Sequence, residues 1–170
     1  MALPHKISTL LYVFDAEDRV LLLQRQKEPN RGLWSPPGGK LDTALGESPY
    51  ACARREAGEE LGLEVPLSAL HLTGLVSESG YQGTAHWLMF LFEIRLRLSR
   101  TPPDIDEGRF MFFARSDLES LAIPVTDRER LWPWFWEHRG GFFSAHCACT
   151  GPSTMDWTLE ESLPCRNAHG

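Results

Sequence analysis

The sequence predicts a single α+β domain over residues 1–170, a mixed β-sheet sandwiched between helices. Three observations predict it. Strand-like segments follow one another with few helices between them. One long helical segment lies early, between a glycine turn and a glycine stop. A last pair of strand-like segments closes the chain.

The elements follow in order. Ile7 to Phe14 (ISTLLYVF) and Arg19 to Gln26 (RVLLLQRQ) read as strands, with Asp15 to Asp18 as the hairpin turn between them. Lys27 to Trp34 is a polar loop. Glu47 or Ser48 opens the helix, Pro49 suits its first turn, and Gly62 ends it. Glu64 to Ala69, holding Pro66, is a connector. His71 to Glu78 and His86 to Leu98 are strands joined around Gly80-Tyr81-Gln82-Gly83. Thr101 to Gly108 is an acidic loop, and Arg109 to Ala114 a short aromatic strand. Ser116 caps a short helix through Leu121, and Thr126 or Asp127 starts another through about His138. Gly140-Gly141 breaks the chain. Phe142 to Cys147 and Trp157 to Leu159 form a late hairpin around Gly151-Pro152-Ser153.

Composition narrows the function. A chain of 170 residues fits one domain. At that size it buries roughly 70% of its unfolded surface, so no staple is required. Apolar residues at 42% and charged residues at 24% are globular values. The net charge of −6 argues against a dedicated binder of nucleic-acid polymers, because no basic excess displaces counterions. No signal segment or membrane-spanning run is visible, so the expectation is a cytoplasmic protein with reduced thiols. The cysteines are Cys52, Cys147, Cys149 and Cys165. Strand alternation puts Cys147 and Cys149 on one face and His146 on the other, with no second ligand pair, so these read as structural thiols rather than a zinc site.

The chemistry concentrates between Gly38 and Leu63. Glu56, Glu59 and Glu60 are spaced i, i+3 and i+4, which on a helix is one face. Three like charges repel, so helix stability gives no reason to gather them, whereas a divalent cation does. Magnesium is a hard ion that takes oxygen ligands and bridges carboxylates to substrate phosphates; manganese can substitute. The preceding Pro36-Pro37-Gly38-Gly39 is a turn whose bare backbone can approach a phosphate or offer a carbonyl, Gly39 in particular, to the ion. Together they point to metal-assisted cleavage of a phosphate anhydride.

This stretch resembles the signature of the Nudix hydrolases, G-x5-E-x7-R-E-U-x-E-E-x-G-U with U apolar. Glu47, then seven residues, then Arg55-Glu56-Ala57-Gly58-Glu59-Glu60-Leu61-Gly62-Leu63 fit it position by position. Seven residues rather than five separate Gly39 from Glu47, which reads as a surface insertion in the Asp42 to Gly46 loop. The flanking strands, the Asp106-Glu107 pair and the late FF…DWTLEE segment are similar to MutT-type oxidised-purine nucleoside triphosphatases. The resemblance implies the Nudix fold. It makes Glu56 and Glu60 the first metal ligands and Glu59 a ligand or the group activating water. Arg55 and Glu47 then support the site from behind, the arginine orienting a glutamate through its planar fork. Glu107 is a candidate further ligand or general base, with Asp106 its rival.

Substrate contacts are expected from Trp34, Ser35, Lys40, Arg25 and Asp127. Trp34, Tyr81, Phe110 or Trp132 is a candidate to stack on a base, each with a core role as the competing reading. MutT-type enzymes place an asparagine where Ser35 stands, and animal members read the oxidised base with two acids where this chain has Asp127-Arg128. The implied reaction is hydrolysis of a purine nucleoside triphosphate, oxidised or not, releasing pyrophosphate. A dinucleoside polyphosphate or nucleotide sugar is the alternative substrate. A non-catalytic nucleotide-sensing module is the alternative of another class, disfavoured by the intact helix acids. The expected partner is a small nucleotide, on a monomer or homodimer, away from membranes.

Overall fold

The computed structural model describes residues 2–28, 30–151 and 154–165. Apolar alternation drives the first strands: β1 (His5–Asp15) and β2 (Val20–Arg25) form an antiparallel hairpin whose turn holds Asp18 at φ 60°. Arg19 donates to the Asp15 carboxylate at 2.7 Å across that turn. The predicted loop Lys27–Trp34 gives up its last residue to a two-residue strand, β3 (Trp34–Ser35), paired to β2.

α1 (Pro49–Leu61) has the bounds its sequence dictates. Ser48 Oγ accepts the Ala51 N–H at 3.1 Å as N-cap. Pro49 fills the first turn, and Gly62 at φ 64° closes the helix with its N–H on Gly58 O. Beyond a 3₁₀ turn at Leu67–Ala69 come β4 (Leu70–Tyr81), β5 (Ala85–Leu98) and β6 (Gly108–Phe113).

The segment after β6 differs from expectation. It is a 3₁₀ turn over Arg115–Glu119, and its cap is Asp117, whose carboxylate accepts the Ala114 N–H at 2.9 Å, rather than Ser116. The expected helix from Asp127 starts as a wide π-type turn, Asp127–Leu131, and continues as α2 (Trp132–His138). The late strands run longer than predicted, as β7 (Phe142–Cys149) and β8 (Met155–Leu163). Of the turn read between them, Pro152 and Ser153 lie outside the described residues.

The sheet order is β3-β2-β1-β5-β4-β7-β8, with β6 also pairing β2. β1 runs parallel to β5 and β4 parallel to β7; the other pairs are antiparallel. Each face buries its own core. Ala53, Ala57 and Leu61 of α1 pack with Leu11, Val13, Leu23 and Phe92. Phe135, Trp132 and Leu131 pack on the opposite face with Tyr12, Phe14, Leu91 and Phe143. Tyr12 stacks on Phe135 with ring centroids 4.1 Å apart. This sandwich confirms the predicted α+β mixed sheet between helices.

Candidate active site

The site is built where α1 passes beneath the glycine turn. The turn runs alongside β1: Thr9 N–H donates to Gly39 O and Leu11 N–H to Pro37 O, both at 2.8 Å. Gly38 stands at φ 144°, and a side chain there would collide with the Thr9 carbonyl. Only glycine meets both demands. A Cβ on Gly39 would fall on the Glu56 carboxylate, so the missing side chain is the space into which this acid reaches.

The glutamates are not equivalent. Glu56 shares the buried face of α1 with Cys52, Ala53 and Ala57. The small Ala57 lets the helix lie close to the sheet. Burial pushes the Glu56 carboxyl up, against the pull of Arg55. Glu60, one turn on and half-buried, accepts the Gly38 N–H at 2.9 Å. Burial first, then the charges of Glu56 and Glu107, push Glu60 up to about 7, while Arg25 pulls the other way. Glu59 is rotated outward and exposed, meeting Arg55 Nη1 at 3.2 Å.

Arg55 organises these acids. Its Nε and Nη2 grip Glu47 side-on at 2.8 and 2.9 Å. Its Nη1 holds Glu56 at 2.7 Å, and Nη2 also donates to Lys40 O at 3.1 Å. The guanidinium holds Glu47 down at about 2, and is itself raised by its carboxylate partners. One planar fork therefore ties the inserted loop, the glycine turn and the helix together.

The other predicted residues are placed as follows. Glu107 is exposed on the tight turn between Ile105 and Gly108, 3.7 Å from Lys27 Nζ; Asp106 is exposed beside it. Arg25 ends β2. Lys40 pairs with Ser8 of β1, and its Nζ stands 6.0 Å from the Trp87 ring centroid. Ser35 lies half-buried opposite Leu23. Trp34, Phe110 and Trp132 are 6, 6 and 3% exposed, and all three are core rings. Trp34 packs edge-on against Phe113 at 4.8 Å. Tyr81 ends β4, half-buried. Asp127 lies at the start of the π-type turn with the Thr126 hydroxyl 3.3 Å away, and burial pushes it up to about 7.

Among the described cysteines, Cys147 and Cys149 do share a face, with sulfurs 3.9 Å apart, and all four cysteines are free thiols. His146 faces the other way and is satisfied by the Ser77 hydroxyl at 2.7 Å.

One acid escaped the sequence reading. Glu78 of β4 is 8% exposed. A β-bulge between Leu72 and Gly74 shifts the register of β4, so Val76 and Glu78 project to the α2 face while Leu70 and Leu72 pack on the α1 face. Simple alternation hides that switch. The signal available was a lone acid in an apolar strand.

A divalent ion fits this arrangement. Among the described residues no three His, Cys, Asp or Glu side chains gather closely enough to cage a metal by themselves. Magnesium does not ask for such a cage: one or two carboxylates, waters and substrate phosphates suffice. Glu56 in the hollow left by Gly39, with Glu60 one turn on, is a donor set of that kind.

A carboxylate helix tucked under a glycine turn, on one face of a mixed sheet, defines a class of hydrolases that open phosphate anhydrides with divalent ions. Residues 4–135 match the NUDIX domain, and the chain belongs to the Nudix family. It is a pyrophosphohydrolase acting on a nucleoside diphosphate derivative. It is 29% identical over 116 residues to the uncharacterized Nudix hydrolase YvcI of Bacillus subtilis, covering 68% of this chain and 70% of that protein. The mutator MutT protein from Bacillus halodurans superposes with TM-score 0.70 and 25% identity, over 91% of this chain and 97% of that one. The NUDIX domain of Shewanella oneidensis NrtR, complexed with ADP ribose, has the same fold at TM-score 0.62 and 18% identity, over 81% of this chain and 88% of that one. Among the described residues no helix is long and apolar enough to cross a membrane.

Proposed function

We propose that this chain hydrolyses a purine nucleoside triphosphate with magnesium, releasing pyrophosphate. The observation that carries the reading is the pair Glu56 and Glu60, one packed against Gly39 and the other bonded to Gly38. Glu56 and Glu60, with the Gly39 carbonyl, would hold the ion, which neutralises phosphate charge and acidifies water when bound.

The chain's own residues do the rest. Arg55 fixes Glu56 by a 2.7 Å bond and is itself locked by Glu47. The acid is thereby oriented before substrate arrives. Glu107, near enough to Glu60 to raise it, takes the proton of the attacking water; Glu59 is the alternative acceptor. Arg25 near Glu60 and Lys40 beyond the glycine turn neutralise phosphate oxygens. The greater likeness to a MutT protein, TM-score 0.70 at 25% identity, than to the ADP-ribose-bound NrtR domain, 0.62 at 18%, supports the triphosphate over a dinucleotide or nucleotide sugar. The free thiols support a reducing cytoplasm.

The test is a panel of purine triphosphates, oxidised purine triphosphates, dinucleoside polyphosphates and nucleotide sugars, each assayed with magnesium and with manganese. Pyrophosphate release from a purine triphosphate is expected, and Glu60→Gln abolishes it while circular dichroism stays unchanged. Protein inert toward every triphosphate with either ion, or a Glu60→Gln variant with full turnover, refutes the reading.

A further inference from the structure

Cys147 and Cys149 stand outside the anhydride chemistry. Their sulfurs lie 3.9 Å apart on the α2 face of β7, the face that Phe143 and Ala145 also present. Cys147 is fully buried, and Cys149, the last residue of the strand, is half-buried. The cross-strand partner of Cys149 is Met155, the first residue of β8, and that of Cys147 is Trp157. Directly opposed residues of an antiparallel pair project to the same face, with Cβ atoms about 4.5–5.5 Å apart. The half-buried Met155 thioether therefore joins the two thiols. Trp157 packs edge-on against Trp134, ring centroids 5.6 Å apart, and walls the group on the side of the core.

The distances decide what such a group can hold. Residues two apart on an extended strand have Cα atoms about 6.6–6.8 Å apart, the far limit for a disulfide. Two sulfurs that share one ion at about 2.3 Å each, with about 110–120° between the bonds, lie about 3.8–4.0 Å from one another. The observed 3.9 Å is that separation. Burial pushes the Cys147 thiol up to about 12 and raises the Cys149 thiol as well. Thiols kept protonated are poor nucleophiles for disulfide exchange, whereas a metal that binds sulfur strongly displaces the protons. Glu78, paired with Cys147 from β4, adds negative charge near both sulfurs and so favours a cation.

The donor set selects the ion. Among the described residues no third His, Cys, Asp or Glu joins the pair, so a tetrahedral zinc site lacks its ligands. Two thiols and a thioether are soft donors, and soft donors select monovalent copper.

We propose that Cys147, Cys149 and Met155 form a three-sulfur site for one cuprous ion at the closing end of the β7–β8 hairpin. The ion forms two bonds to thiolates and one to the thioether; two thiol protons leave to solvent, and no electron is transferred. Bound there, it clips the start of β8 to the end of β7. In protein prepared without copper the thiols stay protonated, and the ion enters from the side of the half-buried Cys149. None of the α1 acids takes part, so the site goes beyond the anhydride chemistry and does not depend on it.

The experiment is anaerobic titration of the intact, copper-free protein with cuprous ion, supplied as its acetonitrile complex, in competition with bicinchoninate. One equivalent is expected to resist the chelator and to raise the melting temperature. X-ray absorption is expected to show three sulfur neighbours at about 2.3 Å. Zinc offered in the same way is expected not to be retained. Cys149→Ser should lose the bound equivalent. Met155→Leu should weaken binding by at least about tenfold, the scale on which even groups beyond the ligands count. Cys165→Ser, which removes the exposed thiol, should bind as the wild type does. Melting curves without copper confirm that each variant folds. A wild type that yields all its copper to the chelator, or that retains zinc instead, overturns the proposal. So does a Cys149→Ser or Met155→Leu protein with unchanged affinity, or loss of the ion in Cys165→Ser.

Discussion

Replacing Glu47 by Gln removes the anchor of Arg55, and the cost depends on pH in a way that can be worked out beforehand. Arg55 grips both oxygens of Glu47 at 2.8 and 2.9 Å, and the Asp42 N–H adds a third bond at 2.8 Å. The carboxyl falls from 4.5 to about 2, first because of the Arg55 hydrogen bonds. A depressed carboxyl stabilises the fold above its unfolded value, and that stability is lost as pH drops through the folded value. At about 1.4 kcal/mol per pH unit the drop corresponds to about 3 kcal/mol. The side chains are 12 and 34% exposed. Water therefore screens the pair, and about 1–2 kcal/mol survives. Urea unfolding of wild type and Glu47→Gln at a series of pH values is the assay. The two curves should differ by about 1–2 kcal/mol at pH 7 and converge between about pH 4.5 and pH 2. A difference that does not change with pH, or none at all, refutes the argument that Arg55 is held by an ionised Glu47.

Two further outcomes test the backbone and the thiols. Gly38→Ala forces a side chain both into φ 144° and against the Thr9 carbonyl. It should cost about 3 kcal/mol or more in denaturant unfolding. Gly46 stands at φ 66° with open space around it. Its change to Ala should cost only about 1 kcal/mol; equal losses would show that the turn beside β1 is not tightly packed. Cys147 is fully buried, with the Cys149 sulfur 3.9 Å from its own. Cys147→Ser puts a hydroxyl there and should lower stability by about 1–2 kcal/mol without altering metal content. Stoichiometric zinc in the wild type that disappears in this variant would overturn its reading as a structural thiol.

Local signals in the sequence were reliable because local physics makes them. Ser48, Pro49 and Gly62 delimit α1 through caps that involve only neighbouring residues. The hairpin at Asp15 to Asp18 is of the same kind. Contacts between distant segments were opaque. Trp34, Phe110 and Trp132 are equally good stacking platforms on paper, and only packing against Phe113, the α1-side core and Tyr12 reveals where their surfaces are spent. The two-residue β3 exists because β2 offers it an edge. The face on which Glu78 lies depends on a bulge in β4 that alternation along the strand does not reveal. The helix glutamates were legible as a group, but their inequality came from the depth at which α1 lies on the sheet.

The parallel pairings carry a kinetic consequence. β1 aligns His5 with His86 through β5, and β4 aligns Gly74 with Phe143 through β7. Each brings together ends of a long stretch of chain, whose closure entropy must be met before the pairing rewards it. The glycine turn leans on β1, so it is not held firm until β5 has docked. On a ribosome, the segment from Gly38 to Leu63 emerges well before the strand that steadies it, and a chain interrupted before Leu98 would carry all the acids of the helix with nothing rigid to aim them at.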